Sequence, residues 1–400
     1  MISVDEAVRK IILSRLSFET EIISLENAPG RILAADIFVD RDYPPFNRAA
    51  MDGYAINSKD FIEKKINVYE IAGEIYAGDS RNFVLKSGQA IKIMTGAAVP
   101  VNLDAVIRKE DTEVDGSHVS IKLSSIKKFQ NISLKGEDLR DGNHVINKNS
   151  RINFPMLPLL ASLGKNKIKV YRTPKVAIIS TGNEIKPVDS FVNWNQIRDS
   201  NSYSISQFLD QYQIKPSLKL IVEDKPDLLV SAIKRVIDND ILIISGGVSA
   251  GDADYVPQAL TKCGVKEVFH KVKIKPGKPI WFGKADNGIC IFALPGNPFS
   301  VQAACKVFIE PFIRASFNLS PLIPLVLPFA ANRKKKISLD EYLPAKLLNK
   351  PRLMVDLAAF NGSGDITATL NSSGLMHHPA EVDEINYGGE VMFYPWKNIL

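Results

Sequence analysis

Cysteine is scarce. The 400-residue chain has three, Cys263, Cys290 and Cys305, an odd number with no C-x-x-C spacing. That argues against a disulfide framework and a thiolate zinc site, and fits a reducing compartment. Cys290 falls in a predicted strand and Cys305 in a predicted apolar helix, so both read as core. The five histidines, His118, His144, His270, His377 and His378, show no zinc spacing, and none is assigned a catalytic role. No apolar run approaches the ~20 residues of a membrane span. The opening Met1-Ile2-Ser3-Val4-Asp5-Glu6 lacks the basic and apolar regions of a signal peptide, so a soluble, cytoplasmic protein is expected. Internal repeats and low-complexity segments are absent. So is a basic stripe with interleaved aromatics, so nucleic acid is not an expected partner. The one dense basic run, Arg333-Lys334-Lys335-Lys336, reads as a solvated turn.

What is there is ordinary globular composition: 45% hydrophobic and 24% charged residues, with a formal net charge of +6. The length exceeds what one core serves, so several domains are expected. The mild basic excess suits an anionic substrate. Ser3 and Glu6 form a capping box ahead of Val4, Val8, Ile11, Ile12 and Leu16, which predicts an opening amphipathic helix. Pro44-Pro45 breaks that pattern. From there to about residue 140, short apolar runs such as Ile91–Met94 and His118–Leu123 are separated by Gly, Asp and Asn, the pattern of a mostly β domain. Pro155–Leu163 reads as a short helix ended by Gly164.

From Pro174 to about Ser316, predominantly apolar strands at Val176–Ser180, Leu218–Val222, Ile241–Ile244 and Ile289–Leu294 alternate with predicted helices. Those helices start near Ser202, span Asp227–Ile237 and Tyr255–Cys263, and begin again at Pro298. Such alternation predicts a mostly parallel sheet covered on both faces. Beyond Pro321, runs such as Arg352–Val355 and Glu390–Tyr394 mark a small C-terminal β domain.

In an open α/β sheet, ligands bind at the carboxyl ends of the strands. Three such ends are rich in polar residues and glycine: Ser180-Thr181-Gly182-Asn183-Glu184, the loop from Ser245-Gly246-Gly247 through Ser249, Gly251, Asp252 and Asp254, and Leu294-Pro295-Gly296-Asn297-Pro298. Glycine there serves either a tight turn or close approach of backbone to a ligand; three loops in one sheet favour the ligand. Lys271-Val272-Lys273-Ile274-Lys275 alternates cations with apolar residues, which in a strand would line one face with ammonium groups. Lys278 follows in Pro276-Gly277-Lys278-Pro279. The row either holds a polyanion or blunts an edge strand against aggregation. Asp52, Asp138, Glu184, Asp199, Asp252 and Asp254 are the placed acids; converging near phosphate they would hold Mg²⁺, and singly they cap turns.

These stretches resemble the molybdopterin molybdenumtransferases, a family that includes the E domain of gephyrin. The resemblance runs through Pro44-Pro45-Phe46, Met51-Asp52-Gly53-Tyr54-Ala55, Met94-Thr95-Gly96-Ala97, Gly136-Glu137-Asp138, the Ser180–Glu184 loop and Asp199-Ser200-Asn201. It continues through Ser245–Tyr255, Lys275–Pro279 and Leu294–Ser300, covering most of residues 1 to 316. It implies an α/β multidomain fold of four domains: an N-terminal linker domain (1–45 plus 141–173), an inserted β domain (46–140), an α/β molybdopterin-binding domain with a mostly parallel sheet (174–318), and a small β-barrel-like C-terminal domain (319–400). It also implies an elongated homodimer, with adenylylated molybdopterin and molybdate as substrates, molybdenum cofactor and AMP as products, and Mg²⁺ as the divalent cation.

Carried over by position, the family's important acids fall on Asp52, Asp138, Glu184, Asp199 and Asp254, its threonine on Thr95, its lysines on Lys271 and Lys275, and its paired prolines on Pro295 and Pro298. Ser245, Gly246, Gly247, Ser249, Gly251, Lys278, Gly296 and Asn297 complete the expected substrate site, with Glu184 and Asp254 on the metal. Ala49 stands where the family usually has serine, and Asn102-Leu103 where it has Gly-Ala. Some members use an arginine and a serine in the C-terminal domain; no arginine is placed here, and Ser363 is the candidate serine. The dithiolene supplies the sulfur ligands, so no protein cysteine is needed. Two rival readings are an adenylyltransferase making the activated pterin, whose fold resembles residues 174 to 316, and a non-catalytic scaffold. Molybdenum and tungsten are not distinguished, and a partner delivering the pterin is left open.

Overall fold

A computed structural model describes residues 1–248, 255–349 and 352–397. Ser249, Gly251, Asp252 and Asp254 lie outside the described residues. The chain divides into two compact units, one formed by Asp36–Lys148 with Ser162–Gly164, the other by Met1–Ala35, Asn149–Ala161 and Lys165–Leu400.

The smaller unit is built on a six-stranded sheet in the order Ala105–Arg108, Gly53–Ile56, Gln89–Ile93, Val68–Ile75, His118–Ile121, Thr112–Asp115. All its pairings are antiparallel except that between Val68–Ile75 and Gln89–Ile93. Alternating side chains feed two cores. Ala55, Ile91, Ile93 and Val106 enter one, and Tyr54, Ile56, Ala90 and Ile107 enter the other. Gly53 is fixed by sterics, because a Cβ there would lie 1.8 Å from the Ile107 carbonyl oxygen on the adjacent strand. Ile37–Phe38 pairs with His144–Ile146, so the chain enters and leaves this unit side by side.

The larger unit centres on a second six-stranded sheet: Leu218–Val222, Val176–Thr181, Ile241–Ser245, Cys290–Leu294, Trp281–Ala285, Val265–His270. The first four strands are mutually parallel; Trp281–Ala285 is reversed, so it pairs antiparallel with both of its neighbours. Every residue of Val176–Thr181, Ile241–Ser245 and Cys290–Leu294 is buried. Ile178, Ile243 and Phe292 face one core, into which the helices Val4–Leu13, Asn201–Asp210 and Glu310–Ser316 pack Ile11, Ile205 and Phe312. Ile179, Ile244 and Ile291 face the other core, under Pro226–Val236 and Val256–Lys262. The interiors of the three central parallel strands are apolar because both faces are covered.

The opening helix is capped as the sequence predicts, Ser3 Oγ accepting from the Glu6 N–H at 3.1 Å. The helix Met156–Ser162 stops at Gly164, whose φ is +68°. Met354–Leu357 and Glu390–Pro395 belong to a further sheet with Asp340–Leu348, Gly374–His378 and Leu325–Pro328, around its own core of Phe329, Val355, Met376 and Phe393.

One expectation is corrected. Lys271–Lys275 is not a continuous strand. Lys271 has a φ of +66°, and only Ile274–Lys275 is strand, pairing in parallel with Asp340 and Glu341 of that further sheet. The alternation survives in burial: Val272 and Ile274 are buried, Lys273 and Lys275 exposed. No helix among the described residues is long and apolar enough to cross a membrane.

Ile178 has no exposed surface and sits on a sheet that cannot close up around a void. Ile178→Ala should destabilise the larger unit by about 2–5 kcal/mol, read as a lowered urea midpoint. Phe191→Ala, at a side chain 88% exposed, should move the midpoint by less than about 0.5 kcal/mol.

Candidate functional site

Because the interiors of the three central parallel strands are apolar on both faces, their polar groups collect at the carboxyl ends. There they open on a cleft of about 1430 Å³. One wall comes from the three strand-end loops, through Thr181, Glu184, Ser245–Gly247 and Pro295–Pro298. Lys275, Lys278, Arg333, Glu341, Phe360 and Ser363 line the same cleft.

The loops are braced against one another. Gly246 has a φ of +101°, and its N–H donates to the Leu294 carbonyl at 3.0 Å. A Cβ at Gly246 would lie 2.3 Å from the Thr181 carbonyl oxygen, so only glycine lets these two strand ends come so close. Asn201 Nδ2 ties two loops together, donating to Ser245 Oγ at 2.8 Å and to the Gly296 carbonyl at 2.7 Å. Its Oδ1 is buried without a hydrogen-bond partner among the described residues. Ser363 is tied in as well: its Oγ accepts from Asn297 Nδ2 at 2.9 Å and its carbonyl from the Phe299 N–H at 3.2 Å.

The acids differ in their freedom. Asp199, 6% exposed, accepts through Oδ1 from Ser180 Oγ (3.0 Å) and the Ser202 N–H (3.1 Å). It lines the cleft while anchoring the start of the helix Asn201–Asp210. Glu184 is exposed at the cleft, with its carboxylate folded close over Gly182. Asp224, which sequence reasoning missed, also lines the cleft and accepts from Thr181 Oγ1. Its signal was present: it follows the strand Leu218–Val222, at the same edge as the other loops.

The cationic wall differs from expectation. Lys275 and Lys278 line the cleft, but Lys271 does not, because its left-handed backbone breaks the row. Arg333 was read from sequence as part of a solvated turn. Instead it lines the cleft and is half-buried, and Lys335 in the same run is only 7% exposed, bonded to the Pro379 carbonyl. Glu341, 2% exposed, joins the two cations: Oε1 meets Lys275 Nζ at 3.1 Å, and Oε2 accepts from Arg333 Nη2 at 2.5 Å. Burial raises the Glu341 pKa, but the hydrogen bonds from Arg333 and Lys275 outweigh it and hold the carboxyl below its ordinary value.

Asp52, Thr95 and Asp138 belong to the smaller unit. Asp52 Oδ1 accepts from both the N–H and Oγ1 of Thr95, at 2.8 and 2.7 Å, and these bonds lower its pKa. Asp138 is exposed, its N–H donating to the Tyr43 carbonyl. No group of three His, Cys, Asp or Glu poised to hold a metal occurs among the described residues. All three cysteines are free thiols, and burial raises the pKa of each, that of Cys290 to about 11.

Residues 177–315 match a family model described as a probable molybdopterin binding domain, which defines the class: proteins that carry this α/β domain. Residues 2–164 match a second model, the MoeA N-terminal region (domain I and II). The molybdopterin molybdenumtransferase of Haemophilus influenzae is 32% identical over 413 aligned positions, covering 100% of both chains. That of Staphylococcus epidermidis is 31% identical over 386, covering 94% of this chain and 91% of its own. Two crystal structures of the molybdopterin biosynthesis MoeA protein from Pyrococcus horikoshii superpose with TM-scores of 0.83 and 0.84, at 29% and 25% identity. They cover 100% and 98% of this chain and all of their own. The chain belongs to the molybdopterin molybdenumtransferase family.

Gly246→Ala must displace the Thr181 carbonyl or twist the loop out of its left-handed conformation. It should destabilise the larger unit by about 1–3 kcal/mol, read as a lowered urea midpoint.

Proposed function

We propose that this protein inserts molybdenum from molybdate into adenylylated molybdopterin, releasing AMP and the molybdenum cofactor. The observation that carries the reading is the pairing, across one cleft, of three backbone-rich strand-end loops with the cations Lys275, Lys278 and Arg333. Loops of that kind offer N–H groups to phosphate, and the facing cations suit a small oxyanion.

In the proposed chemistry a water oxygen bonds to the adenylyl phosphorus and the phosphoanhydride P–O bond breaks, freeing AMP. On the pterin, two Mo–S bonds form while one molybdate oxygen leaves as water with the two thiol protons, so no electrons are exchanged. The role of this chain is to hold the two anions together. The loops at Ser245–Gly247 and Pro295–Pro298 bind the phosphate end, and Lys275, Lys278 and Arg333 hold molybdate. The dithiolene brings the sulfurs, which agrees with a protein whose thiols are all shifted toward the unreactive protonated form.

Carboxylate oxygens suit Mg²⁺, and we propose that Glu184 holds it together with Asp254; the ion would neutralise phosphate charge. We further propose a homodimer in the cytoplasm, in which Asp52, Thr95 and Asp138 of one subunit complete the cleft of the other.

The test is molybdate-dependent AMP release from adenylylated molybdopterin. Glu184→Gln should cut kcat by about a hundredfold, or roughly 3 kcal/mol. Lys278→Ala should raise the molybdate KM by about tenfold. A protein that instead consumes ATP to adenylylate the pterin, with no molybdate-dependent release, would falsify the reading. If subunits share sites, a mixture of the impaired Asp52→Ala and Glu184→Gln chains, unfolded and refolded together, regains activity well above that of either alone; no recovery would reject the shared site.

A further inference from the structure

The guanidinium of Arg333 is gripped by two acceptors on neighbouring strands. Nη2 donates to Glu341 Oε2 at 2.5 Å, and Nη1 lies 2.5 Å from Nδ1 of His378. Glu341 and His378 are direct partners in the antiparallel pairing of Asp340–Leu348 with Gly374–His378, so one register sets both. His378 has no exposed surface, and its Nε2 lies 2.8 Å from the Val382 carbonyl oxygen.

These contacts determine the state of the ring. A carbonyl oxygen only accepts, so Nε2 carries the hydrogen. A guanidinium only donates, so Nδ1 offers its lone pair. Both are satisfied by a single species, the neutral Nε2–H tautomer. Burial and the adjacent Arg333 charge push the His378 pKa below its ordinary value, which keeps the ring neutral. Lys335 acts in the same direction, and Glu341 and the Val382 bond oppose it.

The charge count gives this neutrality a purpose. Lys275 and Arg333 share one carboxylate, Glu341, leaving one positive charge at this corner of the cleft. A carboxylate in place of His378 would cancel that charge. A charged imidazole would lose the acceptor and repel the guanidinium. A neutral acceptor holds Arg333 in place and leaves the charge available. With one N–H used on each Nη, three guanidinium N–H groups remain.

We propose that His378 is a positioning residue, a neutral hydrogen-bond acceptor that aims the Arg333 guanidinium at the oxyanion in the cleft. The inference rests on the assignment of this wall to molybdate made above.

Calorimetric titration of molybdate, and separately of AMP, into the full-length protein at neutral pH tests it. His378→Leu should weaken molybdate about tenfold, the loss of one hydrogen bond to a charged group, with AMP affinity unchanged. His378→Asn, whose Oδ1 can take the place of Nδ1, should recover most of that loss. Unchanged molybdate affinity in His378→Leu overturns the proposal. So does an equal loss for molybdate and AMP in both variants, which would mark a general structural defect. Wild-type protein that binds molybdate but releases no AMP from the adenylylated pterin would sink the transferase reading instead, and a His378-dependent molybdate affinity would still support this one.

Discussion

The cationic side of the cleft depends on a carboxylate that water hardly reaches. An isolated buried charge is among the costliest features a fold can carry. Glu341 is tolerated because two cations from separate stretches of chain close on its two oxygens. Lys275 arrives on a two-residue strand that follows the central sheet's Val265–His270, and Arg333 arrives from the C-terminal part of the chain. The parallel pairing of Ile274–Lys275 with Asp340–Glu341 lays the lysine beside its partner. Removing Glu341 would therefore leave two facing cations unneutralised and loosen the junction between the two sheets.

The opposite side obeys a different constraint. The three central strands, buried on both faces, have no room for polar side chains along their interiors, so these are confined to the strand ends. Those ends become a binding edge because their loops are close enough to touch: Gly246 against Thr181, and Asn201 bridging Ser245 and Gly296. Small side chains and a backbone-bonding amide permit that closeness. These loops offer backbone and short polar groups, whereas Lys275, Lys278 and Arg333 bring long cationic side chains to the same cleft.

What the sequence revealed follows from how local each signal is. The four predominantly apolar strands, the capping by Ser3 and the stop at Gly164 were legible, since each depends on a few adjacent residues. The strand-end loops were legible for the same reason, and Asp224 could have been found by applying the strand-end rule to Leu218–Val222. The lysine row was half legible: alternation predicted which side chains are buried, but not that Lys271 would adopt a left-handed backbone and leave the row. Arg333 and Lys335 were misread because their partners lie far along the chain. Glu341 is eight residues from Arg333, His378 is 45, and the Pro379 carbonyl is 44 residues from Lys335. Four consecutive basic residues look solvated until those partners are known. The role of His378 was invisible, because neither its burial nor its tautomer leaves a trace in residue order.

The side-by-side pairing of Ile37–Phe38 with His144–Ile146 bears on how such a chain could arise. To the host, a hundred-residue module joined through adjacent ends is topologically equivalent to a short surface loop, because the entropy of closing the chain is met by the module's own strand pairing. Ancestral acquisition or loss of the module would then leave the host's chain path unaltered. Joining Ala35 to Asn149 through a few flexible residues would yield a minimal chain retaining the parallel sheet and its cleft.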